Sequence, residues 1–196
     1  MNKTFHSISR GRPRSTAARQ AILDTALQIT KRDGFSALTI EGIAREAGVG
    51  KPTIYRWWQS KGMIVFEALQ QQAEKELPLP ENMSLRKGLL TFLQALFTTL
   101  NTGIGDIVRS LMAEAQHDPV FADLFRAQFI SIRRQPLLQL LHDGITRGDL
   151  PADTNIEVLA DLIYGAMWYR LLAQHAPLDA DFAHAIVKLL LPASPS

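Results

Sequence analysis

The sequence predicts an all-α protein of about nine helices in two domains, and three observations carry that reading. Apolar residues recur at i, i+3, i+4 and i+7 along most of the chain, and no segment shows the strict alternation of a half-buried strand. Pro78-Leu79-Pro80 interrupts the helical pattern, because proline cannot continue a helix. The charge divides near the same place: residues 1–60 hold ten Lys/Arg against four Asp/Glu, whereas residues 61–196 hold eleven against fifteen. The expected parts are a basic arm over 1–14, a helical domain over 15–77, and a larger helical domain over 81–196. A basic part beside an acidic one suggests a polyanionic partner for the basic part.

Composition narrows the function classes. At 196 residues, 46% hydrophobic and 20% charged, the chain can bury a real core. It has no cysteine, which excludes disulfides, thiolate catalysis and cysteine-based metal sites. It has no apolar run of 18 residues, so no membrane span is expected. The start, MNKTFHSISRGRPR, lacks the apolar core of a secretion signal, so a cytoplasmic protein is expected.

Taken in order, residues 1–14 are polar and aperiodic and end in RGRPR. Pro13 favours an extended backbone along which Arg10, Arg12 and Arg14 are presented. This is similar to the AT-hook core, whose arginines lie in the minor groove of A/T-rich DNA; a solvated basic tail fits the same residues. Helix 1 is expected over Thr16–Asp33 with Ser15 or Thr16 as cap, its apolar row being Ile22, Ala26 and Ile29, widened by Leu23 and Leu27. Gly34 ends it.

Leu38 to Lys61 is the most informative stretch. Ile40, Ile43, Ala44 and Ala47 make one apolar stripe of a short helix. Thr39 is its N-cap and Glu41 suits the positive end of its dipole. Gly48 stops it, because glycine takes the left-handed conformation without steric cost. A second helix restarts over Lys51–Trp58, with Pro52 tolerated in its first turn. Only Ile54 and Trp58 are inward anchors there. Lys51, Thr53, Tyr55 and Arg56 point elsewhere and Trp57 lies on the flank, a face suited to phosphates and base edges. Helix, glycine turn and exposed second helix make the helix-turn-helix arrangement, although periodicity alone fits a surface helical hairpin equally.

The residues TIEGIAREAGVGKPTIYRWWQSK resemble the DNA-binding signature of the TetR family of bacterial transcriptional regulators. The matching positions are Thr39, Ile43-Ala44, Ala47-Gly48-Val49, Thr53-Ile54-Tyr55, Trp58 and Lys61. Gly50 stands where Ser is usual, Trp58 where Phe is usual and Gly62 where Glu is usual; Gly50 gives up a side-chain cap. The resemblance implies nine helices and a homodimeric, ligand-responsive regulator, a repressor, on palindromic duplex DNA. It implies that Lys51, Pro52, Thr53, Tyr55 and Trp57 meet DNA, and that Thr39 and Lys61, at helix starts, hold phosphates.

Ser60 is the expected cap of helix 4, which carries Ile64, Val65, Ala68 and Leu69. Beyond Pro80, Leu85, Leu89, Leu93, Leu96 and Leu100 mark one helix, and Asn101-Thr102-Gly103 stops it. Ile104, Val108, Leu111, Met112 and Ala115 mark the next. Asp118-Pro119 opens a long helix to Gly148 with Pro136 inside it. Asp153 or Thr154 is expected to cap a helix through Ile156, Leu159, Ile163 and Met167. A last helix runs from Asp179 to Leu191.

Three readings of residues 81–196 stay open: plain packing, self-association and ligand sensing. The last two helices are apolar on more than one face, which asks for a second partner surface. The resemblance implies a symmetric dimer there; Leu162, Gly165, Ala166, Tyr169, Ile186 and Leu190 are the candidates. The family's usual pocket lies among helices 4 to 8. Its candidates here are Phe66, Phe92, Phe97, Met112, Phe125, Phe129 and Trp168, which suit an apolar or aromatic effector. No cofactor or metal is expected. Nor is an enzyme: the five His show no metal-ligand spacing, there is no phosphate-cradling glycine loop or nucleophile elbow, and His142-Asp143 beside Asp149 is better read as a solvated helix end. A helical adaptor that docks on protein through Lys51–Lys61 is the other rival.

Overall fold

The computed structural model describes residues 12–73 and 83–191, with side chains from 16 to 72 and from 83 to 191. The described residues are helical and contain no strand. They divide into two compact units, the first ending at Lys75 and the second beginning at Glu76.

The first unit holds α1 (Arg12–Asp33), α2 (Ile40–Glu46), α3 (Lys51–Tyr55) and α4 (Lys61–Ala73). Helix α1 begins at Arg12, earlier than the expected Thr16. Pro13 falls in its first turn, where an amide would lack a partner anyway and the ring presets a helical φ. Arg12 and Arg14 thus stand on helical backbone, not in an extended arm. Their side chains, and Arg10 altogether, lie outside the described residues. Gly34 at φ +85° ends α1, its amide donating to Thr30 O. The core is built from Ile22, Leu23 and Ala26 of α1, Ile43 of α2, Ile54 of α3 and Ile64, Val65 and Phe66 of α4, all fully buried. Each of these side chains except Ala26 contributes roughly 1.5–3 kcal/mol, enough to hold in place helices too short to form alone.

The second unit holds α5 (Leu85–Thr99), α6 (Gly105–Ala115), α7 (Pro119–Phe125), α8 (Ser131–Thr146), α9 (Ile156–Ala173) and α10 (Ala180–Leu190). Gly103 at φ +89° breaks α5 from α6 at the expected stop. Helices α7 and α8 join through one π-helical turn, Arg126–Ile130, and form the single long helix read from the sequence, with Pro136 inside it. Side-chain caps open four helices: Ser84 for α5, Asp118 for α7, Asn155 for α9 and Asp179 for α10. Asn155 replaces the expected Asp153 or Thr154, because α9 begins at Ile156 and it is the Asn155 side chain that accepts from the Val158 amide. Arg134 ties α8 to α9, reaching Glu157 at 2.7 Å and also Asp161.

Candidate nucleic-acid interface

Thr39 accepts a hydrogen bond from the Gly42 amide at 3.0 Å, so α2 begins as a capped helix. Gly48 takes φ +66° and turns the chain, and Val49 N returns to Ala44 O. Gly50 precedes α3 without a side-chain cap. Helix α3 is only five residues long, shorter than the expected Lys51–Trp58. Its end tightens because the amides of Trp57 and Trp58 both donate to Ile54 O. Two anchors fasten it, Ile54 at 0% and Trp58 at 4% exposure. Lys51, Pro52, Tyr55, Arg56 and Trp57 are exposed and Thr53 is half-buried, so α3 presents the face expected of it.

That face has a support the sequence did not disclose. Trp58 Nε1 donates to Glu67 Oε2 on α4 at 2.9 Å, and the Arg19 guanidinium of α1 reaches Glu67 at 2.5 Å. Arg19 also lies 5.6 Å from the Trp57 ring centre and 5.5 Å from that of Trp58, and Arg56 sits 5.6 Å from Trp57. Trp57 thus has two cations by its ring, each contact worth roughly 0.5–1 kcal/mol at an exposed site. Its orientation is set by α1 and α4 as well as by α3. The one available signal was Glu67, the lone acid of α4, and its partners become visible only once three helices are brought together.

Two proposed contacts are not free cations. Lys51 Nζ lies 2.8 Å from Glu41 Oε1 of α2. Lys61 turns inward: its ammonium donates to Phe35 O at 3.1 Å and Leu38 O at 3.0 Å and sits 4.6 Å from the Phe35 ring centre. It closes the carbonyl end of the Phe35–Ala37 turn, so its first role is structural.

In the second unit, the candidate effector residues are mostly packed. Phe125 stacks on Phe129 with ring centres 4.7 Å apart, Phe97 stacks on Phe182 at 5.6 Å, and Phe92 meets Tyr164 edge-on. Phe66 is core of the first unit. Met112 and Trp168 are half-buried. A cleft of about 550 Å³ instead lies by the α5–α6 break and the end of α9, lined by Asn101, Asp106, Arg109, Arg170, Gln174 and His175 among others. Of the seven candidates only Phe97 borders a described cleft, a smaller one of about 430 Å³.

The candidate dimer residues divide. Leu162 and Tyr169 are 61% and 66% exposed, Gly165 is open, and Ala166 and Leu190 are half-buried. Ile186 is a correction: it is buried in its own unit, and Leu189, 80% exposed, takes the outer position on α10. The sequence around His142 likewise resolves into structure. Asp149 accepts from the Leu85 amide and Asp143 from Gln139.

Comparison with known proteins agrees with this architecture. Residues 22–68 match the family described as bacterial regulatory proteins, tetR family, and residues 79–190 match the tetracyclin repressor-like C-terminal domain. An uncharacterized HTH-type transcriptional regulator of Bacillus subtilis, YdeS, is 36% identical over 91% of this chain and 90% of its own. The crystal structure of the TetR family transcription regulator SCO0332 superposes with a TM-score of 0.72 at 31% identity, over 91% of this chain and 99% of that one. The regulator FadR from Bacillus subtilis, solved in complex with stearoyl-CoA, shares the fold with a TM-score of 0.70 at 17% identity, over 88% and 97% of the two chains. The chain belongs to the TetR family and is an all-α, DNA-binding helix-turn-helix transcriptional regulator.

Proposed function

We propose that this regulator is a repressor that reads a palindromic operator as a homodimer in the cytoplasm. The observation that carries the reading is the uncovered face of α3 and the turn that follows it, where Lys51, Pro52, Tyr55, Arg56 and Trp57 are exposed around only two anchors. In this reading Lys51, Thr53, Tyr55 and Trp57 meet base edges and phosphates. The Thr39 hydroxyl, whose oxygen already accepts from Gly42, donates its proton to a phosphate. Lys61 has spent two of its three N–H donors on carbonyls, which leaves one for a phosphate. Arg10 ahead of α1, and Arg12 and Arg14 in its first turn, add minor-groove or backbone contacts.

The dimer surface is proposed on α9. Val158, Leu162, Gly165, Tyr169 and Leu172 are all exposed and follow one another at spacings of four and three residues, the seam by which helices pair. Leu189 of α10 extends it. A twofold pair places the two reading helices on half-sites one turn of duplex, or a multiple, apart. Repression then follows from occupancy of the operator. A small effector belongs to the helical domain. The cleft by Asp106, Arg109, Arg170 and His175 favours a polar effector over the apolar one expected.

Selection of bound fragments from random duplexes by the purified protein tests the reading. A palindromic consensus with steep loss of affinity as salt rises is expected, about 0.9 log units per phosphate neutralised. A non-palindromic or salt-insensitive selection contradicts it, and salt-insensitive binding of a protein partner would favour the adaptor.

A further inference from the structure

A carboxylate stands on the face that the reading above turns toward DNA. Glu41, in the first turn of α2, is 64% exposed in its side chain, and Lys51, the first residue of α3, is 51% exposed. Their charged atoms are 2.8 Å apart. Nothing in the packing forces the contact, since both side chains reach out into solvent. The other carboxylate of α2, Glu46, is occupied elsewhere by Arg32 at 3.2 Å. Hydrogen bonding to Lys51 holds the Glu41 carboxyl below its usual range, and the same bond raises Lys51, so the pair is fully ionised at neutral pH. Exposed pairs of this kind contribute little to stability, because solvent and salt screen them. The dipole of α2 favours a carboxylate at Glu41 whether or not Lys51 is present. The fold therefore does not require the pair.

Resting on the DNA-binding reading, we infer that Glu41 is a specificity-determining residue that restrains Lys51. Its carboxylate competes with phosphates and with the acceptor edge of guanine for the ammonium, and it repels the duplex backbone. A random duplex meets that repulsion and gains only part of the Lys51 contact. A duplex that offers Glu41 a donor in exchange, the N4 amino group of cytosine or the N6 amino group of adenine, satisfies the carboxylate and releases Lys51 for its neighbour. Discrimination is thus built by raising the cost of wrong sites as well as by contacts to the right one.

The test uses the full chain and fluorescence anisotropy with two labelled duplexes of equal length, one selected by the wild-type protein and one random, across a range of salt. Glu41→Gln keeps the shape and removes the charge. Random-duplex affinity is expected to rise about 3- to 10-fold at moderate salt, with a salt slope steeper by about 0.9, and the ratio of selected to random affinity should fall. The gain should shrink when Lys51→Ala is added. Glu41→Asp, which retains the charge, should leave random affinity near wild type and keeps the idea testable if the Gln variant folds poorly. Unchanged random affinity in Glu41→Gln, or lower affinity for both duplexes at an unchanged ratio, overturns the inference. Failure of the wild-type protein to enrich any duplex in the selection overturns the DNA reading itself, a result distinct from the first because it does not involve the variant.

Discussion

At the scale of single residues, the same side chain can belong to the fold and to the interface, and geometry separates the two contributions. Lys61 is the clearest case. Losing it strands two carbonyls, Phe35 O and Leu38 O, and removes a cation from the Phe35 ring. Hydrogen bonds from a charged donor are worth about 1.5–3 kcal/mol. Lys61→Ala should lower the stability of the helix-turn-helix domain by about that amount, read by denaturant unfolding followed through tryptophan fluorescence. Its effect on DNA binding, measured below the unfolding transition, should be uniform across sequences, and stability equal to wild type would contradict the inward role. Tyr164 makes a second residue-scale prediction. Its hydroxyl donates to Arg133 O at 2.6 Å, and burial pushes its pKa up to about 12. The folded state therefore keeps the proton more tightly than the unfolded chain, whose tyrosines titrate near about 10. The stability this contributes is complete below pH of about 10 and is lost as pH rises toward about 12. Absorbance titration and thermal unfolding should both show that window. Tyr164→Phe should flatten it and cost about 1 kcal/mol at neutral pH; an unchanged alkaline profile would contradict the assignment.

At the scale of elements, close approaches by glycine tell where a helix is committed. A Cβ on Gly105 would stand 2.7 Å from the Leu100 carbonyl oxygen, across the π-helical turn Leu100–Ile104 that precedes α6, and 3.1 Å from a Leu171 methyl. Gly165, on the open face of α9, would meet nothing within 4 Å. Gly105→Ala should therefore destabilise the helical domain by about 1–3 kcal/mol. Gly165→Ala should leave the folded protomer as stable or stabilise it by about 0.5–1 kcal/mol, a contrast that thermal melts of the two variants can decide. The elements were largely legible in the sequence because their boundaries are local chemistry: Gly34, Gly48 and Gly103 all take positive φ, and Thr39, Ser84, Asp118 and Asp179 all cap. What could not be read depends on residues distant along the chain. Lys61 caps carbonyls 23 and 26 residues away. Arg19 finds Trp57 and Glu67 only when α1, α3 and α4 assemble. Ile186 and Leu189 are both apolar residues of one short helix, and periodicity alone did not say which turns inward. Pro13 was ambiguous for the opposite reason, since one preset φ serves both an extended chain and the first turn of a helix.

At the scale of the whole molecule, the decisive prediction concerns assembly. Leu162 is 61% exposed in the single chain, so a charge there costs the protomer almost nothing. In the proposed dimer it would be sealed between two copies of α9, where an unpaired carboxylate is expensive to desolvate. Leu162→Glu should therefore sediment as a folded monomer with an unchanged helical spectrum. Its affinity for a palindromic duplex should fall to that of a half-site, a loss of about 10²- to 10⁴-fold, because the second contact is no longer tethered to the first. Val120→Glu supplies the control. Val120 is equally exposed, at 60%, but lies on α7, a different helix from the seam. Its substitution should leave both mass and affinity as they were. A Leu162→Glu protein that still sediments as a dimer, or one that keeps full affinity as a monomer, would show that the stripe of α9 serves some other contact and that pairing of half-sites is not how this protein holds DNA.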